Sequence, residues 1–268
     1  MKFVVIGAGK MGQAIIQGCL KHQTLDHQSI MGVSPLESDR AAFSKLHDPP
    51  LLTSESVSGH LASATHLLLS VKPQQFAEVA PQLKEISDHA LILSIMAGVT
   101  IQQIAEAVGS ERQIIRCMPN TPVLCGQGAV AWAGSANLQV QHQNFPDQIF
   151  GSVADVVQVD ESQLDAVTAL SGSGPAFFYR LIQPMIDQGI EEGLSPEQAR
   201  QLAAQTAIGA GTLLKESDQD ISTLIAQVRS KGGTTEAGLN ELETNPIDQI
   251  IKATLHAAAE RSRILSQS

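Results

Sequence analysis

Up to Val159 the chain alternates between two kinds of segment. Residues 4–6, 30–33, 67–71, 91–95 and 114–118 are short, rich in β-branched residues and almost wholly apolar. Strands covered by helices on both faces of a parallel sheet have this pattern. Between them, helical periodicity runs over residues 10–22, 39–46, 75–86 and 100–108. In the last of these Thr100 is placed to cap the helix, and Ile101, Ile104, Ala105 and Val108 keep to one face. Repeated β-α units imply right-handed crossovers and a doubly wound α/β domain. Two more extended runs, 128–133 and 154–159, would widen the sheet, and the polar segment 134–147 reads as a surface loop leading into a helix.

Beyond Val159 the strand pattern stops. From Asp165 onward only helical stretches remain, punctuated by Gly174-Pro175, Gly193 and Gly232-Gly233. Leu202, Thr206, Gly209, Ala210 and Leu213 share one face of a helix dominated by small residues. Such a face lets a second helix approach closely and is too apolar to stay wet, so helix–helix packing between chains is expected. Pro184, inside a helix predicted over 176–192, should kink it or end its first half.

Composition narrows the function classes. The 268 residues carry 27 acidic and 17 basic side chains, a formal charge of −10. A net acidic chain with seven Phe, one Tyr and one Trp lacks both the basic face and the stacking platforms that nucleic acid requires. No apolar run is long enough to span a bilayer, and the first residues do not resemble a signal peptide, so neither a membrane nor secretion is expected. Cys19, Cys117 and Cys125 form no CxxC pair, which points to a reduced, cytoplasmic setting. Cys117, Cys125 and Trp132 read as core residues, and the eight histidines show no metal-ligand spacing.

The chemistry begins at residue 7. Gly7-Ala8-Gly9-Lys10-Met11-Gly12 is a GxGxxG turn directly after the first strand and directly before a helix. Gly7 permits the tight turn, Gly9 lets backbone approach a pyrophosphate, and Gly12 lets helix lie against sheet. Phosphate then faces the free N–H groups of the helix N-terminus. Where an NAD site usually carries an acid after the second strand, this chain has Ser34, then Pro35 and, further on, Arg40. A hydroxyl there removes repulsion against a 2′-phosphate and favours NADPH, with NADH still admissible; Ser34 as a mere helix cap is the alternative, and Glu37 and Asp39 lie close in sequence. Ser70-Val71-Lys72-Pro73 and Ile95-Met96-Ala97-Gly98 stand at two further strand ends, where ligands of open α/β sheets bind. Arg116-Cys117-Met118-Pro119-Asn120-Thr121-Pro122 ends a third strand and by itself reads as a rigid loop.

Two clusters in the helical half are unlike ordinary punctuation: Ser171-Gly172-Ser173-Gly174-Pro175-Ala176-Phe177, and Val228-Arg229-Ser230-Lys231-Gly232-Gly233-Thr234-Thr235-Glu236-Ala237-Gly238. Each brings glycines and hydroxyls to the start of a helix, a neutral donor cradle suited to a carboxylate. The first also reads as a linker with a capped helix. For the second, adjacent glycines in a helical domain are costly unless backbone is needed there.

With GAGKMG at 7–12, SVKPQ at 70–74, MAGVTI at 96–101, MPNTP at 118–122, SGSGPAFFY at 171–179 and SKGGTTEAGLNELE at 230–243 in view, the chain resembles the pyrroline-5-carboxylate reductases over essentially its whole length. The resemblance implies an N-terminal Rossmann-type dinucleotide-binding domain over 1–162. It implies an all-helical substrate-binding and dimerisation domain over 163–268, with larger rings of dimers in some members. It implies reduction of the small molecule 1-pyrroline-5-carboxylate to L-proline by NAD(P)H. Carried over by position, Ile6, Gly7, Ala8, Gly9, Lys10 and Met11, with Gly12 behind them, would hold the pyrophosphate and Ser34 the ribose phosphate. Ser70, Val71, Lys72 and Pro73, with Ile95, Met96 and Ala97, would line the nicotinamide and its ribose. Ser230 and the N–H groups of Gly233 and Thr234 would hold the substrate carboxylate, and the catalytic hydroxyl of Thr235 would reach the imine nitrogen. Two positions depart from the family pattern: Lys231 replaces the usual Pro, and an Asn common on the adenine side is missing near Ser56-Val57. A β-hydroxyacid dehydrogenase would need a lysine pattern that Lys215, Lys231 and Lys252 do not supply. A non-catalytic cofactor-sensing protein would be expected to lose Ser230 or Thr235, and both are present.

Overall fold

The protein is described by a computed structural model covering residues 2–266. Strand β1 (Phe3–Ile6) leads through a glycine turn into α1 (Lys10–Lys21), then β2 (Ile30–Val33), α2 (Glu37–Ser44) and β3 (Leu52–Ser54). The chain continues with β4 (His66–Leu69), the single-turn α3 (Phe76–Val79), β5 (Leu91–Ser94), α4 (Ile101–Val108) and β6 (Ile114–Pro119). Strand β7 (Gly128–Gly134), α5 (Phe145–Phe150) and β8 (Ala154–Gln158) complete the sheet. Helices α6 (Leu164–Val167), α7 (Gly174–Glu191), α8 (Pro196–Glu216), α9 (Ile221–Val228), α10 (Thr234–Thr244) and α11 (Ile247–Ser266) follow.

The eight strands lie in the order β3-β2-β1-β4-β5-β6-β7-β8. All neighbours are parallel except β6 and β7. Because side chains alternate across the pleat, the central strands feed two cores. Phe3, Val5, Leu68, Leu93 and Ile115 fall in one, with Phe145 and Phe150 of α5. Val4, Ile6, Leu67, Leu69, Ile92 and Ile114 fall in the other, with Ile104 and Val108 of α4. Trp132 and Cys117 are buried in the first core, as the sequence suggests. Thr100 caps α4 through a reciprocal box with Gln103.

Two expectations need correction, one is narrowed, and one strand was not foreseen. The helix predicted over 75–86 is broken into α3 and flanking 3₁₀ turns, because Pro81 cannot donate into a continuous helix. The short edge strand β3 has no apolar run to announce it. Of the two outcomes expected at Pro184, an end to the first half of the helix does not occur, and α7 runs on to Glu191 through an exposed stretch. Cys125 is exposed at the end of a 3₁₀ turn, not in the core.

By compactness the chain forms two units, Met1–Ser173 with Ala257–Ser268, and Gly174–His256. On this division residues 163–173 lie in the first unit, where Leu164 is buried with Ala131 and Ala133 of β7. The end of α11 joins them, since the hydroxyls of Ser262 and Ser266 both donate to Asp165 Oδ1. In the second unit α7 and α8 form a hairpin closed at Gly193, whose φ of +102° suits glycine. A capping box of Ser195 and Gln198 starts α8.

Candidate active site

Strand order reverses between β1 and β4, the switch point at which open sheets bind ligands. Gly7 turns there with a φ of +97°, and a Cβ on it would lie 2.5 Å from the Ser70 backbone at the end of β4. Both facts demand glycine. A Cβ on Gly12 would stand 2.8 Å from Gly7 O, so α1 rests directly on the turn. A Cβ on Gly9 would meet nothing within 4 Å, which leaves its face open to a ligand. Helix α1 has no side-chain cap and no acid in its first turn, so its N–H groups face a site free of negative charge from that helix. The hydroxyl of Ser70 is buried without a partner. Open glycine, uncapped helix and orphaned hydroxyl together fit a dinucleotide pyrophosphate and ribose.

These residues line a cleft of about 570 Å³ that includes Ile6, Gly7, Gly9, Val33, Ser34, Asp39, Glu55, Ser70, Val71 and Lys72. Ala8 is buried behind the turn, Met11 is half-buried, and Lys10 is exposed on a separate cleft beside α1. Ser34 is almost wholly buried. Its hydroxyl donates to Asp39 Oδ2 at 3.2 Å and accepts from the Leu36 N–H at 3.2 Å. It does not cap α2, whose N-cap position is Leu36. Arg40 donates to the carbonyls of Ser34 and Pro35 and pairs with Glu37.

After β5, Ile95 N–H donates to Leu69 O, and Met96 N–H to the Ser94 hydroxyl, fixing the next loop against the end of β4. Ala97 and Pro73 share an apolar cleft with Gly98, Val99 and Phe76. Two polar links at neighbouring strand ends escaped the sequence reading. Asn120, after β6, accepts the Ala129 N–H and donates to the Ser171 hydroxyl at 3.4 Å. It ties the MPNTP loop to a π-helical turn, Thr168–Gly172, where a Cβ on Gly172 would lie 2.5 Å from Met118. The first glycine-hydroxyl cluster is therefore a packing joint as well as a helix start. Arg116 of β6 is buried against Glu161 at 3.0 Å, and the same carboxylate oxygen accepts the Ile101 N–H at 2.7 Å. A charged residue within an apolar strand was the available signal for that pair.

In the second unit, Arg229 to Gly233 form the turn between α9 and α10, and Thr234 and Thr235 open α10. Gly232 has a φ of +72°, which requires glycine, and a Cβ on Gly233 would lie 2.2 Å from the Ser230 hydroxyl, which would have to turn aside. Gly233 N–H donates to Ser230 O, and Gly232 N–H donates to Glu236 Oε2 at 2.7 Å. Glu236 also faces Arg229, which reaches Glu243 and Asn240 on α10. This brace was invisible without the fold. Helix α10 starts at Gly233 with no side-chain cap. Among the described residues the N–H groups of Thr234 and Thr235 and the Thr235 hydroxyl have no partner, while Ser230 and Lys231 are exposed beside them.

A family model described as pyrroline-5-carboxylate reductase dimerisation matches residues 161–265, and one described as NADP oxidoreductase, coenzyme F420-dependent, matches 2–98. The pyrroline-5-carboxylate reductase of Haemophilus influenzae is 37% identical, covering 96% of this chain and 95% of that protein. The chain belongs to the pyrroline-5-carboxylate reductase family. Solved pyrroline-5-carboxylate reductases are similar along their full length. One from Coxiella burnetii has a TM-score of 0.91 at 29% identity, covering 100% of this chain and 99% of that one. One from Plasmodium falciparum, with NADP bound, has a TM-score of 0.87 at 29% identity, covering 99% and 98%. The family's dimerisation match begins at Glu161, the residue that anchors α4.

Proposed function

We infer that this chain reduces 1-pyrroline-5-carboxylate to L-proline with NAD(P)H, the last step of proline biosynthesis. The observation that carries the reading is the segment from Ser230 to Thr235. It is a neutral set of donors at an uncapped helix start, in a chain whose other unit has a cleft built for a dinucleotide.

The bound nicotinamide supplies the hydride, and the protein's work is positioning. The N–H groups at the start of α1, with Gly7 and Gly9, hold the pyrophosphate. Ser70 offers its unpartnered hydroxyl to the nicotinamide ribose beside Val71 and Lys72, which line the same cleft, and Pro73, Ile95, Met96 and Ala97 are the further residues at these strand ends assigned to the nicotinamide side. Ser230 and the Thr234 N–H hold the substrate carboxylate, with the Gly233 N–H a donor already shared with Ser230 O. Glu236 and Arg229 keep the turn in shape. Thr235 places its free hydroxyl at the ring nitrogen, so that the hydrogen bond strengthens as the imine becomes an amine. The nearest acid, Glu236, is engaged with Gly232 and Arg229, so the substrate arrives as its iminium or takes its proton from water.

The partner is a second copy of the chain. Leu202, Ile208 and Leu213 of α8 and Phe178, Tyr179 and Met185 of α7 are exposed, apolar surface that a homodimer would cover, with rings of dimers as the larger assembly. Among the described residues no helix is long and apolar enough to cross a membrane, and the three cysteines are free, which fits a cytoplasmic setting. The direct test adds 1-pyrroline-5-carboxylate to the purified chain with NADPH or NADH and follows cofactor oxidation and proline formation. Turnover with stoichiometric proline is expected; absence of proline with both cofactors overturns the reading.

A further inference from the structure

We propose that Asp39 sets the cofactor selectivity of this enzyme, acting against a 2′-phosphate so that the site takes NADH alongside NADPH. The inference rests on reading the β1–β4 cleft as the cofactor site. Residues that follow β2 meet the adenosine ribose in a fold of this topology. The first of them, Ser34, is not a free hydroxyl: its proton is directed to Asp39 Oδ2 and its oxygen accepts the Leu36 N–H. Asp39 is half-buried and lines the cleft together with Ser34. The carboxylate that such sites usually carry on the strand end is thus supplied from the first turn of α2.

The cation that would oppose it is engaged elsewhere. Arg40 is held by the carbonyls of Ser34 and Pro35 and by Glu37, and it does not line the cleft. Lys72 does, but it follows β4, and β1 lies between β4 and β2. Two strand spacings, roughly 10 Å, separate those strand ends. Glu55, exposed at the end of β3, adds a second negative charge on the same side. A 2′-phosphate carries about −1.5 to −2 charges at neutral pH. It would enter this corner against carboxylates, whereas a ribose 2′-hydroxyl can donate to Asp39.

Binding of the oxidised cofactors separates this inference from the reaction itself. Calorimetric titration of the full-length protein with NADP⁺ and NAD⁺ gives a ratio of dissociation constants that needs no turnover. In Asp39→Asn the amide oxygen can still accept from Ser34, so the local fold is retained. The ratio should move toward NADP⁺ by about tenfold or more once the charge is gone. Asp39→Ser, a smaller neutral residue, should move it the same way. An unchanged ratio in both variants overturns the role of Asp39 while leaving the cofactor site standing. Failure of the unaltered protein to bind either dinucleotide overturns the cofactor reading and this inference with it.

Discussion

At the scale of single residues, Thr235 is the position where a structural and a chemical role separate most cleanly. The N-cap of α10 is Gly233, and the Thr235 hydroxyl makes no hydrogen bond within the described chain. Helix capping therefore does not explain it. Thr235→Val keeps the bulk and removes the donor. A bond that tightens in the transition state contributes roughly 1–3 kcal/mol, so kcat should fall about tenfold to a hundredfold. Dinucleotide affinity and melting temperature should stay where they were. A normal kcat would remove Thr235 from the chemistry, and a large loss of stability would return it to the helix. The buried thiols call for no such role, since burial pushes Cys19 up to about 11 and raises Cys117 further, leaving both inert as nucleophiles.

At the scale of elements, the start of α4 depends on a charge pair set between β6 and the turn at Glu161. Glu161 neutralises the buried Arg116 and accepts the Ile101 N–H with the same oxygen. Removing one partner of such a pair strands a charge in a dry site. Glu161→Ala should lower the unfolding free energy by about 3 kcal/mol, measured by urea denaturation. Replacing both residues, Arg116→Met with Glu161→Met, should recover most of that loss, because two apolar chains leave no orphaned charge. If the double variant is as unstable as the single one, the pair is not what anchors this helix.

At the scale of the whole molecule, acid sensitivity and assembly are both open to measurement. His66, on β4, is stacked on Phe145 at 4.7 Å and on Phe3 at 6.1 Å. Burial, and then the nearby His142, lower its pKa to about 4. The unfolded chain takes up that proton near the ordinary value of 6.5, the folded one only near 4. Unfolding therefore draws in a proton between those values, so His66 makes stability fall as pH drops from 6.5 toward 4 and leaves it flat above. His66→Phe should flatten the melting-temperature profile across that window; an identical slope would show that other groups control it. Assembly is a separate matter. The exposed Leu202 and Leu213 of α8 should be buried in solution, so Leu202→Glu with Leu213→Glu should reduce the sedimenting mass to that of one chain while NADP⁺ still binds. Retention of the larger mass would place the contact elsewhere.

The order of β-α units, the burial of both sheet faces and the glycine turn at residue 7 were legible in the sequence, because strand periodicity and a demand for absent Cβ atoms are local properties. Thr100 and its capping box were legible for the same reason. The strand β3, the continuity of α7 through Pro184 and the exposure of Cys125 were not, since each depends on what the rest of the chain leaves around it. The site divides in the same way. The glycine turn itself pointed to Gly7 and Gly9, while Ser70, Ser230 and Thr235 were expected from the family resemblance of the motifs that hold them. Only the tertiary structure joined Ser34 to Asp39, turned Arg40 toward carbonyls, and set Glu236 on Gly232 and Asn120 on Ser171. Those contacts are decided by where side chains find hydrogen-bond partners after burial, which no spacing along the chain records.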